Sequence, residues 1–187
     1  PVKDAALAAG LPVLQPETLQ KSAVQQSLAA LEAELIVVVA YGFLLPAEVL
    51  QQPRRGGVNL HASILPRWRG PAPNQAAVLH GDTETGVSLM QMDEGLDTGP
   101  VLSEVTTPVA AEETGGELHD RLAELGAQLL TDNLDALLTG TLSAVPQSAD
   151  GITYAGRIDK QDGRIDWRRP AVSIGQQIRA YNPWPVA

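Results

Sequence analysis

Residues 35–41, Leu-Ile-Val-Val-Val-Ala-Tyr, are apolar at every position and rich in β-branched side chains. A run of strand length without polar alternation is expected to be buried on both faces, which is the situation of a strand in a parallel sheet covered by helices. The segments around it carry the matching punctuation. A helical stretch at 2–9 is closed by Gly10 and Pro12, and only a short strand fits at 12–14. A helix capped by Thr18 or Ser22 runs to Glu32, with Val24, Leu28 and Leu31 on one face. Pro46 opens a short helix to Leu50. A second strand leads through Asn59 and His61 into a loop rich in Pro and Gly. A helix at 73–80 ends at Gly81, and residues 86–92 alternate like a half-buried strand.

Residues 93–100 hold two Gly and one Pro among Asp and Thr, so they form a tight, shaped loop. Residues 101–109 resume as a strand, and the short loop makes this last pair antiparallel. The longest helical pattern, 114–138, places Leu118, Leu122, Leu125, Leu129, Leu130, Leu134 and Leu137 on the side that covers the sheet, with His119 in solvent. Beyond Gly140, residues 152–155 and 164–167 fit short strands or extended loops. Residues 172–180 fit a short helix, and 182–185 a rigid extended end. The alternation of strand and helix over 13–92 predicts an α/β protein with a mostly parallel sheet and helices on both faces.

In such sheets ligands bind outside the carboxyl ends of the strands. The loops at 41–46, 61–71 and 93–100 are expected to converge there. Asn59 and His61 share a strand face. An Asn amide can donate to an oxyanion, and a His can move a proton near neutral pH, so the pair suits attack on a carbonyl. A loop carboxylate can orient the imidazole and stabilise its protonated form. Spacing leaves Asp93 and Asp97 level for that role, with Glu94 as a competitor. His61, His80 and the loop acids match no familiar metal-ligand spacing. There is no Gly-x-Ser-x-Gly elbow, no Gly-x-Gly-x-x-Gly and no Walker motif.

Composition narrows the classes further. At 187 residues, 44% hydrophobic and 19% charged, the chain has the size and balance of one globular domain. No apolar run reaches the roughly 20 residues that span a bilayer, and residues 1–10 lack the apolar core of a secretion signal. The absence of cysteine excludes disulfides and thiolate chemistry and fits a reducing compartment. With 22 acidic and 13 basic residues the formal charge is −9, which argues against this segment alone gripping nucleic acid. Arg54-Arg55 and Arg67-Trp68-Arg69 are the local basic spots, read either as solvated loop cations or as contacts.

The stretch Asn59-Leu-His61-Ala-Ser63-Ile-Leu-Pro66-Arg-Trp-Arg-Gly70-Pro-Ala-Pro73, with Asp82-Thr-Glu-Thr-Gly-Val87 and Met90-Gln-Met-Asp-Glu-Gly-Leu-Asp-Thr-Gly99, closely resembles the folate-dependent formyltransferases. Residues 152–155, 164–167 and 178–184 favour the branch whose acceptor is methionyl initiator tRNA. The resemblance implies a Rossmann-like catalytic domain and transfer of formyl from 10-formyltetrahydrofolate to the methionyl amino group. It places the catalytic roles on Asn59, His61 and Asp97. It assigns Phe43, Leu44, Leu45, Ser63, Ile64, Leu65 and Pro66 to the folate pocket. It implies no metal and no membrane, a cytoplasmic location and a monomer when complete.

On the same resemblance the chain is a partial catalytic domain over 1–187, with 141–187 as its C-terminal extension. The family's first strand and Gly-rich loop, the basic loop after them and a C-terminal β-barrel are absent. Because that first strand lies inside the family's sheet, the segment alone is expected to be poorly stable or partner-dependent. Three other readings use the same residues: formyl transfer to an amino sugar nucleotide, formyltetrahydrofolate hydrolysis, and a silent folate-binding module.

Overall fold

The computed structural model describes residues 2–42 and 45–187. Four strands form one sheet in the order β1 (Ile36–Val39), β2 (Gly57–His61), β3 (Glu84–Gln91) and β4 (Val101–Pro108). Six α-helices accompany them among the described residues: α1 (Val2–Ala8), α2 (Ser22–Ala29), α3 (Ala47–Leu50), α4 (Pro73–His80), α5 (Gly115–Thr139) and α6 (Ala171–Ala180). The α/β class expected from the sequence is the class observed.

α5 is the main support of the sheet. A capping box opens it: Thr114 Oγ1 accepts from Glu117 N at 3.2 Å, and Glu117 Oε2 accepts from Thr114 N at 2.9 Å. Gly140, left-handed at φ 74°, closes it. Its buried stripe, Leu118, Leu122, Leu129 and Leu137, packs with Val58, Val87 and Leu89 of the sheet. α4 and α6 extend this core through Ala76, Ala77, Val78, Ala180 and Tyr181. On the opposite face α3 reaches the sheet, its Leu50 side chain lying against Gly57.

Four local expectations are corrected. β1 pairs with β2 in parallel, but β3 runs antiparallel to β2, with Leu60 opposite Leu89. β1 is not buried on both faces: Val38 is buried, while Val37 and Val39 are exposed, because β1 is the sheet's edge and α5 runs over β3 and β4. No strand forms at 12–14. Residues 182–185 fold into turns rather than an extended end, with Val186 N returning to Tyr181 O at 2.9 Å. Residues 152–155 are extended and touch a neighbour by one bridge, Arg69 to Tyr154, and residues 164–167 make no strand.

Candidate active site

Strand alternation places Asn59 and His61 on the face away from α5, beside Met90 and Ser88 of β3. Because β3 is antiparallel, the 93–100 loop leaves the sheet at the amino end of β2, where Met92 N donates to Gly57 O at 2.8 Å. It then folds back across the face instead of extending the carboxyl edge, as the parallel reading had it. The pairing of β3 with β4 shifts register between Leu89 and Met90.

The fold-back delivers Asp97. Its Oδ1 accepts from Asn59 Nδ2 at 3.4 Å, and its Oδ2 accepts from the backbone N–H of Gly70 at 2.7 Å and lies 3.6 Å from His61 Nδ1. His61 is 5% exposed, and its Nε2 is 2.9 Å from the Trp68 carbonyl. A carbonyl only accepts, so Nε2 carries a proton there and Nδ1 is the nitrogen presented to Asp97. Asp93 has another occupation. Its Oδ1 accepts from Gly95 N at 2.9 Å and Thr98 Oγ1 at 2.7 Å, which shapes the loop itself. Glu94 is exposed. Of the three loop acids, Asp97 is the one brought to Asn59 and His61.

The loop at 62–70 covers the Ser88 end of the same face. Ser88, fully buried, donates from Oγ to Ser63 O at 2.8 Å and accepts from Leu65 N at 3.1 Å. Ser63 Oγ donates to Arg67 O at 2.6 Å, and the Ser63 and Leu65 side chains are buried. Ile64 packs towards Gly86, and Ile64, Pro66 and Leu45 are half-buried. Phe43 and Leu44 lie outside the described residues. Gly70 has φ 109° and its added Cβ would sit 2.5 Å from Ala155 O, so the N–H that binds Asp97 needs a glycine. Ser88→Ala strips the Leu65 N–H and Ser63 carbonyl of their buried partner. An equilibrium unfolding comparison is expected to show a loss of about 1–3 kcal/mol.

A clamp outside the cluster holds the loop's turn. Asp82 accepts from Arg67 Nε at 2.8 Å and Nη2 at 2.6 Å, and from the Trp68 indole N–H at 2.7 Å. Trp68 stacks against His80, ring centroids 4.5 Å apart. Burial pushes the Asp82 carboxyl up, but the hydrogen bonds from Arg67 and Trp68 outweigh it and hold the carboxyl below its usual range. The unfolded group titrates near ~3.9. Its contribution is therefore complete above that value and is lost as pH falls through the lower folded value. Asp82→Asn is expected to destabilise by about 1–2 kcal/mol at neutral pH. In a pH series of chemical denaturation, the gap between wild type and variant closes below about pH 4.

The basic spots are occupied by structure. Arg54 pairs with Glu34 at 2.8 Å, Arg55 donates to the α5 C-terminal carbonyl of Thr139 at 3.0 Å, Arg67 holds Asp82, and Arg69 is buried. A cavity of about 420 Å³ opens next to Pro71 and Ala72, with Gln75, Arg157, Asp159, Lys160 and Trp184 around it. A second, of about 590 Å³, lies at the other end of α4, between His80 and α6. Among the described residues no group of three or more His, Asp or Glu side chains comes together as a metal site, and no helix is long and apolar enough to cross a membrane.

Sequence reasoning missed three contributors: the Trp68 carbonyl, the Gly70 N–H and Ser88. Ser88 gave no signal, because the alternation over 86–92 reads as a half-buried strand, whereas β3 is buried throughout Thr85 to Met90 and a polar residue there needs internal partners. The others act through backbone groups.

An α/β sheet that gathers an Asn, a His and an Asp on one face beneath two shaped loops defines a protein that can polarise a carbonyl and move a proton beside it. Residues 1–134 match the family model described as formyl transferase, and residues 157–187 match the formyl transferase C-terminal domain. The chain belongs to the formyl transferase family. It is 55% identical over 186 residues to the methionyl-tRNA formyltransferase of Stutzerimonas stutzeri (strain A1501), covering 100% of this chain and 59% of that protein. It is 57% identical over 189 residues to that of Xylella fastidiosa (strain M23), covering 100% and 61%. The chain thus spans about 60% of the length of these relatives.

Among solved structures, a sugar N-formyltransferase from Shewanella sp FDAARGOS_354 has the same fold with TM-score 0.80 at 19% identity, covering 95% of this chain and 70% of that one. HypX from Aquifex aeolicus in complex with tetrahydrofolic acid aligns with TM-score 0.74 at 20% identity, covering 88% and 29%.

Proposed function

We propose that the chain carries the catalytic site of a cytoplasmic enzyme that transfers formyl from 10-formyltetrahydrofolate to the amino group of methionyl initiator tRNA. The observation that carries this reading is the meeting of Asn59, His61 and Asp97 within 3.6 Å. The 55–57% identity, over the whole chain, to curated methionyl-tRNA formyltransferases supports this choice of acceptor.

The neutral methionyl amine attacks the formyl carbon, and negative charge gathers on the formyl oxygen. Asn59 Nδ2 has a second N–H to donate to it. The attacking nitrogen must lose a proton, and N10 of the folate must gain one as its bond to the formyl carbon breaks. His61 Nδ1, facing Asp97, is the group placed to pass that proton. The products are a formamide and tetrahydrofolate. The loop at 62–70, fixed by Ser88, supplies one folate wall through its backbone and through Ile64 and Pro66, and Leu45 is assigned to the same pocket. Arg157 and Lys160, beside the exposed Trp184, give the cavity next to Pro71 and Ala72 cations for phosphates and a ring for a base at the tRNA end.

The test supplies the protein with 10-formyltetrahydrofolate and measures formyl appearing on charged initiator tRNA, on an amino sugar nucleotide, and in water as formate. Formyl-methionyl-tRNA as the main product is expected. Release of formate alone, or transfer only to the sugar, would replace this reading.

A further inference from the structure

Gln147 stands fifty residues from Asp97 in sequence and meets it through a docking of the segment after α5. There Val101 and Val145 form an antiparallel bridge, with N to O distances of 2.8 Å in both directions. The Gln147 amide is fully engaged. Its Oε1 accepts from Arg69 Nε at 3.0 Å and Nη2 at 2.6 Å, and its Nε2 donates to the carbonyls of Asp97 at 2.8 Å and Gly99 at 2.7 Å. A guanidinium only donates and a carbonyl only accepts, so these partners fix which end of the amide faces which way.

Arg69 is itself anchored. It is 7% exposed, its N–H donates to Thr153 O at 3.0 Å, and its carbonyl accepts from Ala155 N at 2.8 Å. The loop that Gln147 grips has reason to move. It must fold back across the sheet from the far end of β2, and Asp97 sits at φ 52°, a backbone region that non-glycine residues disfavour. The carboxylate contacts of Asp97 with Asn59 and His61 are long, at 3.4 and 3.6 Å; the Gly70 N–H fixes Oδ2 at 2.7 Å, and Gln147 fixes the backbone from which the side chain projects.

We infer that Gln147 is a positioning residue for the reaction: by clamping the carbonyls of Asp97 and Gly99, with its own orientation set by Arg69, it keeps the Asp97 carboxylate against Asn59 and His61. The inference rests on the formyl-transfer reading of the site. Gln147→Leu ends in an apolar branch one bond shorter than the amide and loses all four hydrogen bonds. Gln147→Glu keeps an acceptor for Arg69 but turns a carboxylate oxygen on two carbonyls. Each is expected to lower turnover by up to about 10²-fold, the effect of a misplacement near 1 Å.

The readout that a merely structural role would not move is a double-mutant cycle. Because Gln147 acts through Asp97, Gln147→Leu added to Asp97→Asn is expected to cost less than about twofold beyond Asp97→Asn alone. Losses that multiply, or unchanged turnover in both single variants, would overturn the inference. Hydrogen exchange of the peptide covering residues 93–100 separates it from the function itself. Faster exchange in Gln147→Leu is expected whether or not the wild type transfers formyl, and unchanged exchange overturns the clamp. Absence of formyl transfer by the wild type would remove the reading of the site and leave the clamp to the exchange result.

Discussion

Replacing Asn59 or His61 by alanine is expected to lower the turnover of formyl transfer by roughly 10² to 10⁴, the range for an oxyanion donor or a proton-transfer group. The two losses have different origins. Asn59→Ala removes an amide that sits half-buried between Asp97 and the open face, so charge growing on the formyl oxygen loses its donor at the moment it is needed. His61→Ala removes the ring that links the Trp68 carbonyl to Asp97, which deletes the proton path and leaves that carbonyl and the carboxylate facing a small void. Single-turnover measurements with saturating cosubstrates isolate chemistry from binding. Near-normal rates in either variant would sink the role given to that residue. Far-ultraviolet circular dichroism should stay native for Asn59→Ala, since among the described residues its side chain makes one hydrogen bond, a long one to Asp97.

Leu89→Ala is expected to be the most damaging single truncation behind the site. Leu89 is fully buried on β3, opposite Leu60, and packs in the cluster that includes Leu118 and Leu122 of α5. Truncation loses the transfer energy of the removed atoms and leaves a cavity that a helix and a sheet cannot both close, a cost of about 2–5 kcal/mol. For a chain of this size that corresponds to a fall in melting temperature of roughly 4–20 °C. The effect reaches function because Leu89 lies between Ser88, which pins the 62–70 loop, and Met90, which neighbours Asn59. A melting temperature within 2 °C of wild type, roughly what a change under 1 kcal/mol produces, would show that the sheet is not supported from α5 at this point.

Some of these elements were legible in the chain and others were not, for reasons that differ by residue. α4 was legible through Pro73 at its start and Gly81 at its end, and α5 through leucines at helical spacing over 114–138, signals that act within a turn or two of the chain. β1 was recognisable as a strand, but its burial was not, because what covers Val37 and Val39 depends on where α5 comes to rest. The direction of β3 was misread. An alternating strand after a helix fits either direction, and pairing with β2 is decided by contacts far apart in sequence.

The site divides the same way. Strand periodicity alone put Asn59 and His61 on one face, and the residue types alone suggested carbonyl chemistry. Asp93 and Asp97 are equal by composition and spacing. Local hydrogen bonds to Gly95 and Thr98 occupy the first, and the fold-back of the loop carries the second to the pair. The tertiary structure decided the partners that no pattern encodes: the Gly70 N–H, the Trp68 carbonyl, the Ser88 hydroxyl and the Gln147 amide. The physical reason is range. Backbone sterics and side-chain alternation act over a few residues and are written in local sequence. A hydrogen bond from residue 147 to residue 97 exists only after α5 has packed on β3 and brought two distant segments within 3 Å.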